Sequence, residues 1–365
     1  MSSPADPLDH ALALHRAGNL PEAKTHYIHI LRKQPDHFDA LHLLGVIALQ
    51  CQNPAAAVKL IGLAIGHAPD VAEFHSNLAL AHQALSRWEA ALDSITEAIR
   101  LNPSSAETHF NGGAIFQRMD KPDLALACFE KAIKIDPDYA EAYFQLGLTA
   151  LRLDRPDAAL LRFDRALTYW PQDANVHYNK GLALHQLGQT SAAATSYRRA
   201  IAIQPNHAQA YSNLGAAQQS LHQIDAAIDS FHKALALAPQ FAAAHYNLGL
   251  ALQERGHPQD AIKSFDLALA IEPNYIEVWA SRAYLLQGLH DYAAAITSYD
   301  HAIRLRSGFV AAHYHRGLCL EALGEREAAE HAFRQVLTHE PQHPDAKTRL
   351  TELQQARELP RKTAD

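Results

Sequence analysis

Large apolar, small and polar positions recur along this chain with a period of 34 residues. Proline marks the period at positions 35, 69, 103, 137, 171, 205, 239, 273 and 341, with Ser307 standing in the one gap. With that proline as position 32 of a unit, units begin at 4, 38, 72, 106, 140, 174, 208, 242, 276 and 310. Position 20 is alanine in all ten, from Ala23 to Ala329, and position 27 is alanine in eight, from Ala64 to Ala302. Position 24 is always large, as in Tyr27, Ile61, Phe163 and Phe333. Position 8 is glycine in seven units: Gly45, Gly113, Gly147, Gly181, Gly215, Gly249 and Gly317.

The spacing predicts two helices per unit. Alanines seven apart share one helix face, and the large residue between them fills what they leave open. A glycine inside a helix costs roughly 1 kcal/mol against alanine, so the glycines at position 8 predict a close approach of the two helix backbones. The breakers agree. Pro21, Pro54, Pro122, Pro156 and Pro258 fall at position 17 or 18, where a first-turn proline leaves no hydrogen bond unmade. Gly18, Gly188, Gly256 and Gly324 fall at position 15, suited to the left-handed residue that ends a helix. Such a unit cannot bury its apolar face alone, so the units stack as a solenoid and function is sought on the continuous surface.

The segment AAAHYNLGLALQERGHPQDAIKSFDLALAIEPN (242–274) resembles the tetratricopeptide repeat, through His245, Tyr246, Leu248, Gly249, Ala261, Phe265, Ala268 and Pro273. The resemblance covers residues 4–343 as ten units. It implies an all-α, right-handed superhelical solenoid of antiparallel helix pairs, with the first helices lining a concave groove. Residues 344–358 continue the first-helix phase with many charges and glutamines, as a capping helix needs, and 359–365 form a tail.

First-helix positions 2, 5, 6, 9, 12 and 13 face the groove in this family. Position 6 carries Asn77, Asn111, Gln145, Asn179, Asn213 and Asn247 in six consecutive units. A carboxamide offers a donor and an acceptor, so a row of them can hold an extended chain by its peptide groups. Position 12 adds Gln83, Gln117, His185, Gln219, Gln253 and Gln287, and position 5 adds Phe110, Phe144, Tyr178, Tyr246 and Tyr314. The row resembles the asparagine ladder in the repeat arm of O-GlcNAc transferases and related bacterial proteins, whose arm holds substrate polypeptide. That resemblance implies a non-catalytic scaffold for a protein or peptide partner. Its alternative is a subunit that presents substrates to a separate glycosyltransferase. Two other readings stay open: position-6 asparagines that only bond to a neighbouring helix, with the position-5 rings as packing, and a module that self-assembles.

The residues argue against another use of the fold. Clamps for terminal carboxylates carry lysine at position 5 and asparagine at position 9, and neither occurs here. Position 2 is acidic at Asp39, Glu73, Glu107, Glu141 and Glu277, which would repel a carboxylate.

Composition narrows the partner. A net charge of −7 gives no electrostatic footprint for nucleic acid. The longest near-apolar stretch, 41–49, is too short to span a bilayer, and MSSPADPLDH lacks the pattern of a signal peptide. Cys51, Cys128 and Cys319 are sparse and odd in number, which reads as reduced thiols in a cytoplasm. No catalytic motif is present and nothing departs from the repeat phase at domain length, so the expectation is no enzyme, no cofactor and no metal.

Among 24 histidines, five stand at position 4: His75, His109, His177, His245 and His313, in a column shared with Tyr143, Tyr211 and Trp279. Imidazole there substitutes for an aromatic ring at a packed site. Clustered histidines also raise the expectation of binding that changes near pH 6.

Overall fold

The computed structural model describes residues 6–358, so the expected tail over 359–365 lies outside the described residues. Among the described residues there are 21 helices and no strand. The chain divides into two compact units, Met1–Leu187 and Gly188–Asp365.

The first unit holds α1 (Pro7–Arg16), α2 (Leu20–Lys33), α3 (Phe38–Gln50), α4 (Pro54–His67), α5 (Ala72–Ala84), α6 (Trp88–Leu101), α7 (Ala106–Arg118), α8 (Pro122–Ile135), α9 (Ala140–Arg152), α10 (Pro156–Tyr169) and α11 (Ala174–Gln186). The second holds α12 (Thr190–Ile203), α13 (Ala208–Ser220), α14 (Ile224–Leu237), α15 (Ala242–Glu254), α16 (Pro258–Ile271), α17 (Ile276–Gly288), α18 (Tyr292–Leu305), α19 (Val310–Ala322), α20 (Arg326–His339) and α21 (Pro344–Glu358). Odd-numbered helices are the first of each pair and even-numbered the second.

Within a pair, the position-20 alanines are fully buried, as are the large residues at position 24. The glycine at position 8 accommodates a side chain. A Cβ built on Gly113 would lie 2.5 Å from the Phe129 ring, and on Gly317 2.7 Å from that of Phe333. Gly147 faces Phe163 and Gly249 faces Phe265 in the same way. The gap expected from backbone approach is therefore filled by the position-24 residue, because a planar ring fits flat where a Cβ is missing.

The turn inside each pair is more uniform than the glycines suggest. Position 15 has positive φ in every pair: Gly18, Gly188, Gly256 and Gly324, but also Gln52, Ser86, Asp120, Asp154, His222 and His290. Each adopts the left-handed conformation that lets the next amide reach back across the helix end. Asn53 N–H donates to the Ala48 carbonyl at 2.8 Å and Asp291 N–H to that of Leu286 at 3.0 Å. This is the Schellman closure, and it satisfies carbonyls the helix would otherwise leave open.

Between pairs, position 4 ties the loop. The Nε2 atoms of His75, His109, His177 and His245 lie 2.8–3.1 Å from the carbonyls of Pro69, Pro103, Pro171 and Pro239. His313 makes the same bond to Ser307, and Trp279 donates its Nε1–H to the Pro273 carbonyl at 2.8 Å. Imidazole and indole are interchangeable in this column because both carry a ring N–H at the right reach, and that bond survives whether the imidazole is neutral or charged. A proline at position 32 donates nothing through its nitrogen, but its carbonyl needs a partner.

Ion pairs add a second tie. Lys180 Nζ meets Asp164 Oδ1 at 2.6 Å in the first unit. Arg282 Nε meets Asp266 Oδ1 at 2.7 Å, and Arg316 Nε meets Asp300 Oδ1 at 2.6 Å, in the second. All three join position 7 to position 25 of the preceding repeat. At the C-terminal end, α21 packs through Ala346 and Leu353 onto the cluster around Phe333 and Val336.

Candidate functional site

In both units the first helices of neighbouring pairs approach one another, as α3 does α5, α5 does α7, α13 does α15 and α17 does α19. Among the described residues no second helices show a comparable approach. Within each unit the first helices therefore lie on the inner side of the curve, and positions 5, 6 and 12 sit on them.

In the first unit this side carries a polar cleft of about 450 Å³, lined by Leu43 and Val46 of α3, Ser76 and Asn77 of α5, Thr108 of α7, and others. Glu73 and Glu107 at position 2 stand at its rim. Asn77 Nδ2 donates to His42 Nε2 at 2.9 Å. His42 is buried, lies tilted against Phe74 with ring centres 4.4 Å apart, and has its pKa lowered to about 4 by burial. It is therefore a neutral acceptor at Nε2, with the proton on Nδ1. One repeat on, Asn111 is buried and makes a long 3.5 Å contact to Ser76 Oγ. Both bonds run from position 6 back to position 5 of the preceding repeat, 35 residues earlier. Asn179 instead donates to the carbonyl of Asn175 in its own helix at 2.8 Å. Gln145 is half-buried on α9, and its carboxamide makes no hydrogen bond among the described residues.

In the second unit Asn213 on α13 and Asn247 on α15 are half-buried. Ser281 holds position 6 on α17 and bonds back to the Tyr246 hydroxyl at 3.3 Å, repeating the staple with different chemistry. The carboxamides of Asn247 and Gln253 make no hydrogen bond among the described residues.

The position-12 row divides by role. Gln117 donates to Thr149 Oγ1 at 2.7 Å and Gln219 to Glu254 Oε2 at 3.0 Å. Gln287 accepts from the Tyr299 hydroxyl at 2.9 Å. Gln83 keeps its Oε1 buried without a partner, whereas His185 is exposed. The position-5 rings serve packing: Phe110 lies against Phe129 and Tyr139, Phe144 against Phe163, and Tyr246 against Phe265 and Tyr275. Tyr178 is half-buried on α11.

A second cavity, of about 270 Å³, opens on the inner side of the second unit among Gln253, Ser281, Tyr284 and His315. Only Gln253 of these was singled out by the repeat pattern. The signal for the others is a departure from their columns: Tyr284 stands at position 9, elsewhere Leu, Val or Ala, and His315 at position 6.

Among the described residues no group of three or more His, Cys, Asp or Glu is placed to hold a metal ion, and no helix is long and apolar enough to cross a membrane. The three cysteines are free, Cys51 exposed and Cys319 buried.

Paired helices on a 34-residue period, with a glycine-and-ring crossing, define a helical-repeat protein. A tetratricopeptide repeat model matches residues 8–72, 52–106, 144–208 and 281–347, more than half of the chain. Two further models of the same repeat match 121–154 and 208–275. The chain belongs to the tetratricopeptide repeat family.

Solved structures with this fold include PilF of Pseudomonas aeruginosa, 22% identical with a TM-score of 0.51, covering 60% of this chain and 97% of that one. The C-terminal part of a repeat-containing protein from Cytophaga hutchinsonii is 17% identical with a TM-score of 0.55, covering 66% and 99%. YrrB, described as a TPR protein with an unusual peptide-binding site, is 24% identical with a TM-score of 0.47, covering 52% and 98%. The likenesses to PilF and to the Cytophaga protein show the fold alone. No curated protein matches the chain.

Proposed function

We propose that this chain is a non-catalytic scaffold that holds polypeptide in extended form along the inner, first-helix side. The observation that carries this reading is the set of carboxamides on that side with hydrogen-bonding capacity to spare: those of Gln145, Asn247 and Gln253 make no hydrogen bond among the described residues. An amide side chain left in water loses little by exchanging it for a peptide group, and gains orientation over a backbone that any sequence supplies. Asn77 and Asn111 contribute differently. Each spends an amide hydrogen on the preceding repeat, which fixes its side chain and leaves the carbonyl oxygen for a ligand.

A second reading is presentation of substrate to a separate glycosyltransferase. The asparagine row at position 6 favours it, and the test is whether such an enzyme co-purifies with the chain.

The experiment for the first reading is a pull-down from native lysate with wild type and with alanine in place of Gln145, Asn247 and Gln253. Loss of bound polypeptides at an unchanged melting temperature is the expected result. Full retention would remove these amides from the site and return the question to the second-helix side and the ends. A further variant with alanine at Asn77, Asn111, Asn179, Asn213 and Asn247 separates the fixed amides from the free ones.

A further inference from the structure

The asparagine row ends after Asn247. At position 6 the last two repeats place Ser281 and His315, and the cavity of about 270 Å³ opens there. Its lining comes from α15, α17, α18 and the α19 region together. Five repeats put leucine at position 7, namely Leu44, Leu78, Leu146, Leu214 and Leu248. Here Arg282 occupies the column and turns to Asp266 Oδ1 and to Ser298 Oγ, each at 2.7 Å, outside the cavity lining.

Four of its walls are rings: Tyr284, Tyr299, Phe309 and His315. His315 lies nearly parallel to Tyr299, at 6.1 Å and 17°, and edge-on to Tyr284, at 5.5 Å and 89°. Tyr284 is 56% exposed, an unusual state for a tyrosine beside an open apolar cavity. Leu250, Phe309 and three alanines add apolar lining. No lysine, arginine, aspartate or glutamate lines it. Burial also lowers the pKa of His315, so the imidazole is held neutral. An ionised side chain entering this space would lose water and find no counter-charge. An uncharged ring would find ring faces and edges at stacking and edge-to-face distance. The volume falls short of the roughly 300–1,000 Å³ of small-molecule sites and suits one large side chain.

We propose that this cavity is the specificity pocket of the scaffold: it seats one aromatic side chain of an extended peptide against the Tyr284–His315 pair, while the free carboxamide of Gln253 pairs with the neighbouring peptide group. The inference rests on the peptide-binding reading and gives that reading a sequence preference.

The test is selection of random peptides displayed on phage against the whole chain, followed by anisotropy titrations with the best synthetic peptide. Two exposed positions supply the variants: Tyr284→Ala removes a wall, and Ala311→Trp fills the space without truncating anything. The expected result is a shared aromatic position among selected peptides, with about tenfold weaker binding for each variant and for the peptide carrying leucine there. That factor corresponds to about 1.4 kcal/mol, within the range of a buried aromatic pair. Selected peptides without an aromatic position, or with one that neither variant affects, would overturn the pocket and leave peptide binding standing. Recovery of no peptide above background would overturn both.

Discussion

Gly215 and Phe231 occupy one shared volume, for a Cβ on the glycine would lie 2.7 Å from the phenylalanine ring. The same pairing governs every phenylalanine at position 24. Phe129, Phe163, Phe231, Phe265 and Phe333 all face glycine, whereas Tyr27, Ile95 and Tyr299 stand in repeats whose position 8 is alanine.

Alanine at Gly215 therefore destabilises the fold although it favours the helix by about 1 kcal/mol. Overpacking of this kind costs about 1–3 kcal/mol. Combining Gly215→Ala with Phe231→Ile copies the Ala79 and Ile95 pair, so the double variant loses less than the sum of the single losses. Urea titrations of all four proteins measure the coupling; strict additivity would show that the two positions do not share space.

The non-glycine residues at position 15 give the opposite sign. Gln52 and Ser86 hold φ near +55°, a conformation that costs an L-residue roughly 1–2 kcal/mol. Glycine there is expected to stabilise by about 0.5–1 kcal/mol after its greater freedom in the unfolded chain is subtracted. Melting of Gln52→Gly and Ser86→Gly checks this, and a lowered Tm in both would contradict the assigned turn.

His42 makes stability depend on pH. Its folded pKa, lowered to about 4, lies below the ordinary 6.5, so the unfolded chain binds the extra proton first as pH falls. Stability is full above pH 6.5 and declines as pH drops toward 4, by up to roughly 3 kcal/mol from this group. His42→Phe keeps a ring against Phe74 and removes the titration. The difference in unfolding free energy between wild type and variant is expected to shift in favour of the variant between pH 7 and 4.5; a constant difference would rule His42 out.

At position 4 the ring N–H matters more than the ring. His75→Leu strands the Pro69 carbonyl and costs about 1 kcal/mol. His75→Trp follows the precedent of Trp279 and loses less. Equal losses in chemical denaturation would show that packing, not the hydrogen bond, holds the loop.

The helix pairs, their boundaries and the buried alanine columns were legible in the sequence because each is written ten times in register. What repetition hides is what differs between copies. The left-handed conformation at Gln52 and Ser86 leaves no glycine to mark it. The bond from Asn77 to His42 joins two columns, 6 and 5, that each look independent when read alone. The cavity beside Tyr284 is lined from α15, α17, α18 and the α19 region, and such a space shows only when neighbouring helices are placed against each other. Column statistics likewise read the position-12 glutamines as one row, whereas Gln117, Gln219 and Gln287 each turn to a different partner.

The ties between repeats reach back a fixed distance: six residues from position 4, sixteen from position 7, and thirty-five from position 6. Each donor thus meets its acceptor by counting back along the chain, and a whole copy such as 72–105 could be cut out or duplicated with the flanking columns still in phase. The chain behaves as a ruler with a repeated gradation. Its length can change one notch at a time, while the local chemistry of each notch is altered separately.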